Sequence, residues 1–250
     1  MKMRRATLAV LVLTWGIFLS GCSAAEKKRA REVASEQREA ELELKSMAET
    51  PKPLRRPVLL LTGWLEPPSN WKRFRTWLES STVCSDREIL CPDLRGPGGL
   101  AAAVEKVLAV CADRGEVDVI AHSAGGLVAR EAARKSRGEK RLRIVRLFAI
   151  ATPHKGTPWG KFWPVLPYPL QAADCRPTSP FIASLDGDLS TASMPISTFW
   201  AEGDVVVPRE SAQAVGAEHH AYSRPKGFFI HRRCAGDPRV ARDVIAGLLK

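Results

Sequence analysis

The 250-residue sequence is long enough for one sizeable hydrophobic core with appended segments. Its 45% apolar and 26% charged residues are typical of a folded, water-soluble domain. The net charge of +11 is spread along the chain, with +5 in residues 1–56 and +6 in residues 57–250. No basic run is interleaved with stacking aromatics, which argues against a nucleic-acid-binding function. A basic surface of this kind suits anionic membranes or envelope polymers.

The first 21 residues have the pattern of a bacterial lipoprotein signal peptide. Three basic residues come first, Lys2, Arg4 and Arg5. The apolar stretch that follows, residues 6–19, is shorter than the ~20 residues that span a bilayer. It ends in Leu19-Ser20-Gly21-Cys22, which resembles a lipobox, where cleavage before the cysteine leaves Cys22 as the lipid-bearing first residue. A plain secretory signal is the alternative.

The lipobox implies a lipid-anchored protein of the bacterial cell envelope, attached to the membrane through Cys22. Ser23 stands where Asp would be the usual cue for retention at the inner membrane, which favours the outer membrane if the source has one. Several acyl chains would anchor the protein stably, because each buried methylene contributes ~0.8 kcal/mol.

Residues 22–56 are expected to form a charged tether before the folded domain. Residues 24–49 are rich in Glu, Lys, Arg and Ala, which predicts either a solvated helix or a disordered tether. The apolar residues of this stretch make a poor stripe: Val33, Leu42, Leu44 and Met47. Three prolines then end any helix and place the domain boundary near residue 56: Pro51, Pro53 and Pro57.

Residues 57–250 alternate apolar runs with helical patterns. Strands are predicted at Val58–Leu61, Glu88–Cys91, Val117–Ile120, Ile144–Ile150 and Ile196–Trp200. Helices are predicted from Ser69 or Asn70 to Leu78, over Leu100–Ala112, from Leu127, and over Val240–Leu249. This alternation predicts an α/β fold with a mostly parallel sheet covered by helices on both faces.

A proline-rich segment interrupts the alternation. Residues 157–180 contain six prolines and little periodicity, which is too long for a simple connection and typical of a lid or pocket wall. We therefore expect a lid-like insertion over residues 157–190. Its large apolar side chains either line an acyl pocket or seal the insertion onto the core: Trp159, Phe162, Trp163, Leu166 and Tyr168.

The stretch VDVIAHSAGGLVAR, residues 117–130, predicts a strand, a sharp turn and a helix. Ser123 lies in the turn between the small residues Ala121 and Gly125, an A-x-S-x-G variant of the nucleophile elbow. Such a turn lifts the serine hydroxyl out of the sheet and sets the N–H of Ala124 beside it at a helix N-terminus. The alternative is an ordinary glycine-rich turn with a buried serine.

Five segments in collinear order carry a family resemblance: LLLTGW (59–64), IAHSAGG (120–126), ATPHKGT (151–157), GDVVVP (203–208), and His231 followed by DPRVARDVIAGLL (237–249). With them, residues 58–249 resemble an α/β-hydrolase, specifically the small lipase and esterase branch with an AHSxGG elbow. The resemblance implies an α/β-hydrolase fold and a serine hydrolase that cleaves carboxylic esters, with lipids among the expected substrates.

The resemblance also implies a Ser-Asp-His triad. Ser123 matches the nucleophile, and Asp204, in E-G-D-x-x-V-P, matches the acid, with Glu202 as the nearest rival and Asp186 and Asp188 as more distant ones. His231 precedes the terminal helix, as the family histidine does, although relatives more often have glycine where this chain has Ile230. The competing histidines, which resemble exposed loop or strand-edge residues, are His219 and His220.

In relatives, the oxyanion-hole donors are the N–H after the elbow serine and one after the first strand. The matching residues are Ala124 and Trp64. The His-Gly of relatives at that turn is Thr62-Gly63 here, which weakens the assignment of Trp64. His122 and His154 match positions that pack rather than react.

The remaining five cysteines lie in a chain whose expected export permits disulfides. Their connectivity stays open: Cys84 with Cys91 and Cys175 with Cys234 are two candidates, with Cys111 free. No ligand spacing resembles a metal site, so neither metal nor cofactor is expected.

Two other functions remain open. The first is transfer of the acyl group to an acceptor, or cleavage of a thioester, with the same triad. The second is a non-catalytic envelope lipoprotein that uses the fold for binding.

Overall fold

The computed structural model describes residues 23–85, 88–137, 142–161, 168–186, 194–224 and 227–250. The predicted signal peptide, Cys22, Asp188, and three side chains of the insertion (Phe162, Trp163 and Leu166) lie outside these residues. Among the described residues, no helix combines the length and apolarity needed to cross a membrane.

The described chain contains eight strands and nine α-helices. The strands are β1 (Lys52–Pro53), β2 (Val58–Leu61), β3 (Thr82–Val83), β4 (Ile89–Leu90), β5 (Gly115–His122), β6 (Leu142–Ile150), β7 (Ile196–Ala201) and β8 (Glu218–Tyr222). The helices are α1 (Ala24–Glu49), α2 (Lys72–Ser81), α3 (Gly99–Val110), α4 (Ala124–Lys135), α5 (Pro169–Asp174), α6 (Pro180–Asp186), α7 (Arg209–Ala212), α8 (Phe228–Arg233) and α9 (Pro238–Leu248). Short 3₁₀ turns lie at Pro68–Trp71, Pro158–Lys161 and Cys234–Gly236.

Six strands form one parallel sheet in the order β4-β2-β5-β6-β7-β8. All four residues of β2 are fully buried, as expected for a parallel strand with helices on both faces. Because side chains alternate along a strand, Leu59 and Leu61 join one core cluster while Val58 and Leu60 join the other. The predicted α/β class and its parallel sheet are confirmed.

The two core clusters lie on opposite faces of this sheet. Helices α3, α4 and α6 supply one cluster, and helices α1, α2 and α9 supply the other. The strands run parallel, so their carboxyl ends share one edge of the sheet, the carboxyl edge. The residues that follow β2, β5, β7 and β8 are therefore brought together there.

Helix α1 occupies the stretch for which the sequence left helix and disordered tether open. It begins with a capping box, in which the Ser23 hydroxyl accepts from the N–H of Glu26 and the Glu26 carboxylate accepts from the N–H of Ser23. Its buried seam is narrow, consisting of Val33, Ala40 and Leu44, and it packs against α9 and α2. Leu42, one of the residues that make a poor stripe in the sequence, points outward and is 65% exposed.

Two local expectations differ from the structure. Neither Ser69 nor Asn70 caps a helix, because Pro67 and Pro68 start a 3₁₀ turn there and α2 begins only at Lys72. In the described part of the chain all five cysteines are free.

The two disulfides considered from the sequence are therefore absent among the described residues. For Cys175 and Cys234 the reason is topological, since the two thiols belong to different core clusters on opposite faces of the sheet.

Asp237 lies between the 3₁₀ turn Cys234–Gly236 and α9. Its carboxylate caps that helix at the N–H of Arg239 and forms ion pairs with the guanidinium groups of Arg224, at 2.5 Å, and Arg239, at 2.8 Å. Burial alone would raise the pKa of Asp237, but the hydrogen bonds and charges of the two arginines outweigh it and lower that pKa below 3.8.

We expect Asp237→Ala to lower the free energy of unfolding by about 3 kcal/mol, because Arg224 and Arg239 lose the buried carboxylate that pairs them. Urea denaturation measures this difference. The difference in free energy of unfolding between wild type and the variant should be fully present above about pH 4 and should shrink as the pH falls, because the pKa of Asp237 is lower in the folded than in the unfolded protein. Glu79→Ala, which removes an exposed partner of Arg75, is the control and should change little. Equal midpoints for Asp237→Ala and wild type would contradict the assignment.

Candidate active site

Ser123 lies in a strained turn between β5 and α4. Its φ of 53° and ψ of −128° fall outside the regions that side chains ordinarily adopt. A Cβ at position 125 would lie 2.7 Å from the carbonyl oxygens of Leu61 and Thr62, and one at position 126 would overlap the side chain of Thr152. Glycine is therefore required at positions 125 and 126 for α4 to pack against the neighbouring strands.

Three predicted site residues form one hydrogen-bonded chain at the carboxyl edge. The Ser123 hydroxyl lies 2.8 Å from Nε2 of His231, and Nδ1 of His231 lies 2.8 Å from Oδ2 of Asp204. With Nδ1–H donating to the carboxylate, Nε2 carries the lone pair that accepts from the serine hydroxyl. The arrangement is able to take a proton from Ser123 while Asp204 holds the ring and its tautomer.

The protein holds the Asp204 carboxylate in place by its second oxygen. Oδ1 accepts from the N–H groups of Val206, at 2.8 Å, and Val207, at 3.1 Å. A bridge between the backbones of Asp204 and Gly227 joins this loop to the start of α8, which carries His231. These bonds fix the carboxylate relative to the histidine.

The rival residues lie elsewhere. Glu202 forms an ion pair with Arg29 of α1, and Asp186 is the last residue of α6. His219 is an exposed residue of the edge strand β8 and contacts Thr198, while His220 stacks on Phe199. None of the four joins the chain of bonds from Ser123 to Asp204.

His154 is completely buried beside Arg130 of α4. Burial, together with the nearby charges of Arg130 and His219, lowers its pKa to about 3. It is therefore neutral at physiological pH, and it makes no hydrogen bond to Ser123 or Asp204.

A pocket of about 270 Å³ opens beside Ser123 and His231. It is mainly apolar and is lined by Trp64, Leu65, Glu66, Ser123, Ala124, Pro153, Thr157, Trp159, Ala172, Cys175, Val206, Val207, His231 and Arg232. Both residues predicted to supply oxyanion donors, Trp64 and Ala124, thus face the same space as the serine. Ala124 is the first residue of α4, where N–H groups have no partner within the helix.

The insertion forms one wall of this pocket. Trp159 lines the pocket and donates from its indole to the carbonyl of Val205 at 2.7 Å, so it combines the two roles left open by the sequence. Tyr168 contributes its carbonyl, which accepts from the Trp64 indole at 3.1 Å. The insertion is thereby tied both to the loop after β2 and to the loop that carries Asp204.

Glu66 is a buried carboxylate that the sequence analysis did not single out. Its Oε2 accepts from the N–H of Gly63 at 3.0 Å and lies 2.7 Å from Nδ1 of His122. Nε2 of His122 lies 2.9 Å from the carbonyl oxygen of His231. Glu66 therefore joins the turn after β2, the residue before Ser123 and the backbone of His231.

The bonding of His122 defines its charge. The carbonyl oxygen of His231 only accepts, so Nε2 of His122 must donate to it. Burial would raise the pKa of Glu66, but the charge and hydrogen bond of His122 outweigh burial and lower this pKa to about 2, so Glu66 is a carboxylate that accepts from Nδ1. Both ring nitrogens of His122 therefore carry protons. Burial would lower the pKa of His122, but the charge and hydrogen bond of Glu66 and the bond to His231 raise it instead. The two residues form a buried carboxylate–imidazolium pair.

The same carboxylate shapes the turn that contains Trp64. The N–H of Glu66 donates to the carbonyl of Gly63 at 3.2 Å, and Leu65 has a φ of 61°. A Cβ on Gly63 would come within 2.8 Å of the Ser123 Cβ, so this turn packs tightly against the elbow. In the sequence, the only signal for a bond between Gly63 and Glu66 is their spacing of three residues.

No group of three or more His, Cys, Asp or Glu side chains in the described ranges is placed to hold a metal ion.

Comparison with known proteins identifies relatives of the fold. A sequence profile described as "Alpha/beta hydrolase family" matches residues 58–247, which is most of the chain. No curated protein matches the sequence.

The similar solved structures include lipases and esterases. Phospholipase PlaB from Legionella pneumophila is 11% identical to this chain in two structures. The first match has a TM-score of 0.52 and covers 58% of this chain and 38% of that chain. The second has a TM-score of 0.60 and covers 77% of this chain and 58% of that chain. An esterase from Thermogutta terrifontis has a TM-score of 0.57 and 17% identity, covering 79% of this chain and 90% of that one. A monoacylglycerol lipase from Paleococcus ferrophilus has a TM-score of 0.55 and 12% identity, covering 80% and 96%. These similarities establish the fold.

We expect Glu66→Gln to destabilise the protein by about 3 kcal/mol, because the buried imidazolium of His122 loses its counter-charge. In wild type, the pair should stabilise the fold fully between about pH 4.5 and 6.5, the ordinary pKa values of the two groups. Stability should decline below that window towards the folded Glu66 pKa of about 2, and above it through the raised pKa of His122.

Denaturation across pH measures the window, and nitrogen NMR of His122 measures the protonation directly. Both ring nitrogens of His122 should be protonated in wild type at pH 6. In the Glu66→Gln variant, the His122 imidazolium should lose its proton at a lower pH than in wild type. Glu105→Gln, at an exposed partner of Lys135, is the control. A neutral His122 in wild type at pH 6 would refute the ion pair.

Proposed function

The chain belongs to the alpha/beta hydrolase family, and from this premise we propose that it is a serine hydrolase that cleaves carboxylic esters. The observation that carries the proposal is the chain of two 2.8 Å hydrogen bonds from Ser123 through His231 to Asp204, beside an apolar pocket. Nothing in a purely binding role requires a serine, a histidine and a carboxylate in this order at the mouth of a pocket.

In the proposed reaction, Ser123 attacks the ester carbonyl while Nε2 of His231 takes the hydroxyl proton. His231 then gives this proton to the departing alcohol, leaving the acyl group on Ser123. Asp204 stays ionised and stabilises the imidazolium through Nδ1. Water, deprotonated by the same histidine, then releases the acid and restores the serine.

We assign stabilisation of the negatively charged carbonyl oxygen to the backbone N–H groups of Ala124 and Trp64. Support for this comes from their positions, since both residues line the pocket beside Ser123. Loss of one such donor typically costs ~3 kcal/mol of transition-state stabilisation. The bond from Gly63 to Glu66 restrains the turn that contains Trp64, which supports a preorganised donor.

The substrate class follows from the pocket lining. Apart from the reacting groups, the pocket is formed mainly by apolar side chains such as Leu65, Pro153 and Val207, which suit the acyl chain of an ester or lipid. Transfer of the acyl group to an alcohol and cleavage of a thioester use the same groups and are the alternative reactions. For a non-catalytic binding protein, the strained conformation of Ser123 would have no purpose.

We also propose that the protein is exported and anchored in the bacterial cell envelope through lipid on Cys22. The support is the sequence pattern of residues 1–22, with basic residues, an apolar stretch and a cysteine in the order that a lipobox requires.

We expect Ser123→Ala to reduce turnover of a p-nitrophenyl ester by at least ~10⁴-fold, because the only attacking hydroxyl of the proposed reaction is removed. Steady-state kinetics measure the effect, and the denaturation midpoint checks that folding is retained. Ser184→Ala, at an exposed serine of α6, is the matched control and should keep full activity. Retained activity in Ser123→Ala would eliminate Ser123 as nucleophile.

His231→Ala should reduce kcat/KM of the same ester by a similar factor, because Ser123 loses its base. His219→Ala should leave kcat/KM within twofold, because His219 contacts Thr198 on the edge strand. The reverse result would reassign the base to His219.

A further inference from the structure

Ion pairs and hydrogen bonds attach helix α1 to the folded domain along much of its length. Three ion pairs join it to residues near α9 and α2: Glu36 with Arg239, Glu41 with Arg73, and Glu43 with Arg242. A fourth contact lies close to the start of the helix, where Arg29 reaches Glu202 at 2.8 Å and Ser223 at 2.9 Å. Together with the buried seam, these contacts make α1 a rigid strut.

The strut runs antiparallel to the strands. Glu202 and Ser223, the partners of Arg29, directly follow the carboxyl ends of β7 and β8, so the first turns of α1 lie at the carboxyl edge. Its last residue, Glu49, is followed by the short β1 and by the start of β2 at the opposite edge. With 26 residues, the helix spans roughly 39 Å at 1.5 Å per residue.

The start of α1, at the first of these two ends, is next in sequence to the proposed lipid attachment point. Cys22 directly precedes Ser23, the capping residue of α1, and the capping box holds the chain from Ser23 onward in the helix. Ser23 lies six residues before Arg29, a rise of roughly 9 Å along the helix axis. A lipid on Cys22 would therefore join the protein on the side of the candidate active site.

The carboxyl edge also exposes apolar and basic side chains suited to a bilayer. Three apolar residues next to the pocket lining are solvent-exposed: Phe229 (69%), Leu170 (57%) and Val205 (40%). Two arginines adjoin Phe229 on α8, Arg232 and Arg233, and both are exposed. The first turns of α1 add four basic residues against two acidic ones: Lys27, Lys28, Arg29 and Arg31 against Glu26 and Glu32. Such a mixture binds anionic phospholipid.

We propose that α1 is an orienting strut that holds the carboxyl edge, where the candidate active site lies, against the anionic bilayer in which Cys22 is anchored. The inference rests on the proposed function and on the proposed lipidation of Cys22. In this orientation the pocket opens towards the lipid phase, and Phe229 contacts the acyl region. An ester carried by a membrane lipid reaches Ser123 without crossing bulk water.

The test places a tryptophan at each edge of the sheet in the mature lipoprotein. Phe229→Trp marks the carboxyl edge, and Val215→Trp marks the opposite edge, in the segment before β8, at nearly equal exposure (67%). Each variant is reconstituted in phosphatidylethanolamine–phosphatidylglycerol vesicles with and without brominated acyl chains, which quench tryptophan within the hydrocarbon region. The wild-type emission is subtracted to remove the native tryptophans.

We expect brominated lipid to quench at least half of the emission added by Phe229→Trp and almost none of that added by Val215→Trp. Equal quenching of the two, or quenching at Val215→Trp alone, would overturn the proposed orientation.

Two further measurements separate the premises from the inference. Membrane fractionation of wild type and Cys22→Ala tests the anchor, and an unlipidated wild type found in the soluble fraction would refute both the anchor and the orientation. Turnover of a soluble ester by the same preparations tests the reaction independently, so its absence would refute the proposed function while leaving the quenching result interpretable.

Discussion

The buried ion pair between Glu66 and His122 is the interaction on which the geometry of the site depends. Its carboxylate accepts from the turn after β2, and its imidazolium donates to the carbonyl of His231. The proposed oxyanion turn, the elbow and the proposed base lie on three segments distant in sequence. One buried charge pair sets the spacing among them, and the strained backbone of Ser123 persists because the packing around Gly63 and Gly125 leaves it no room to relax.

The fold was largely predictable because its signals are local. The apolar run Val58–Leu61 and the strand, turn and helix around Ser123 each report burial or turn geometry within a few residues, and together they imply a parallel sheet. Asp204 and His231 were identified through a family resemblance, because nothing local distinguishes them from Glu202 or His219. The structure brings those two together with Ser123, while their catalytic roles remain predictions.

Features that depend on long-range packing escaped the sequence analysis. Glu66 has no unusual neighbours in sequence, and its importance arises only when β5 and α8 bring His122 and His231 beside it. The helical form of residues 24–49 was left open because the apolar residues of this stretch make a poor stripe in the sequence. In the structure the buried seam consists of Val33, Ala40 and Leu44, and ion pairs with distant arginines complete the packing. The candidate disulfide between Cys175 and Cys234 failed for the same reason, since sequence spacing does not reveal that a sheet separates the two thiols.

The proposed chemistry and the proposed anchoring meet in one arrangement, in which α1 begins where the candidate site opens. The central claim is that His231 activates Ser123, and fluorophosphonate labelling tests it most directly, because the probe reacts with an activated serine. The account predicts one covalent adduct per chain, mapped to Ser123 by mass spectrometry and absent from Ser123→Ala. A folded protein that remains unlabelled in the presence and absence of detergent, or an adduct on another residue, would contradict it.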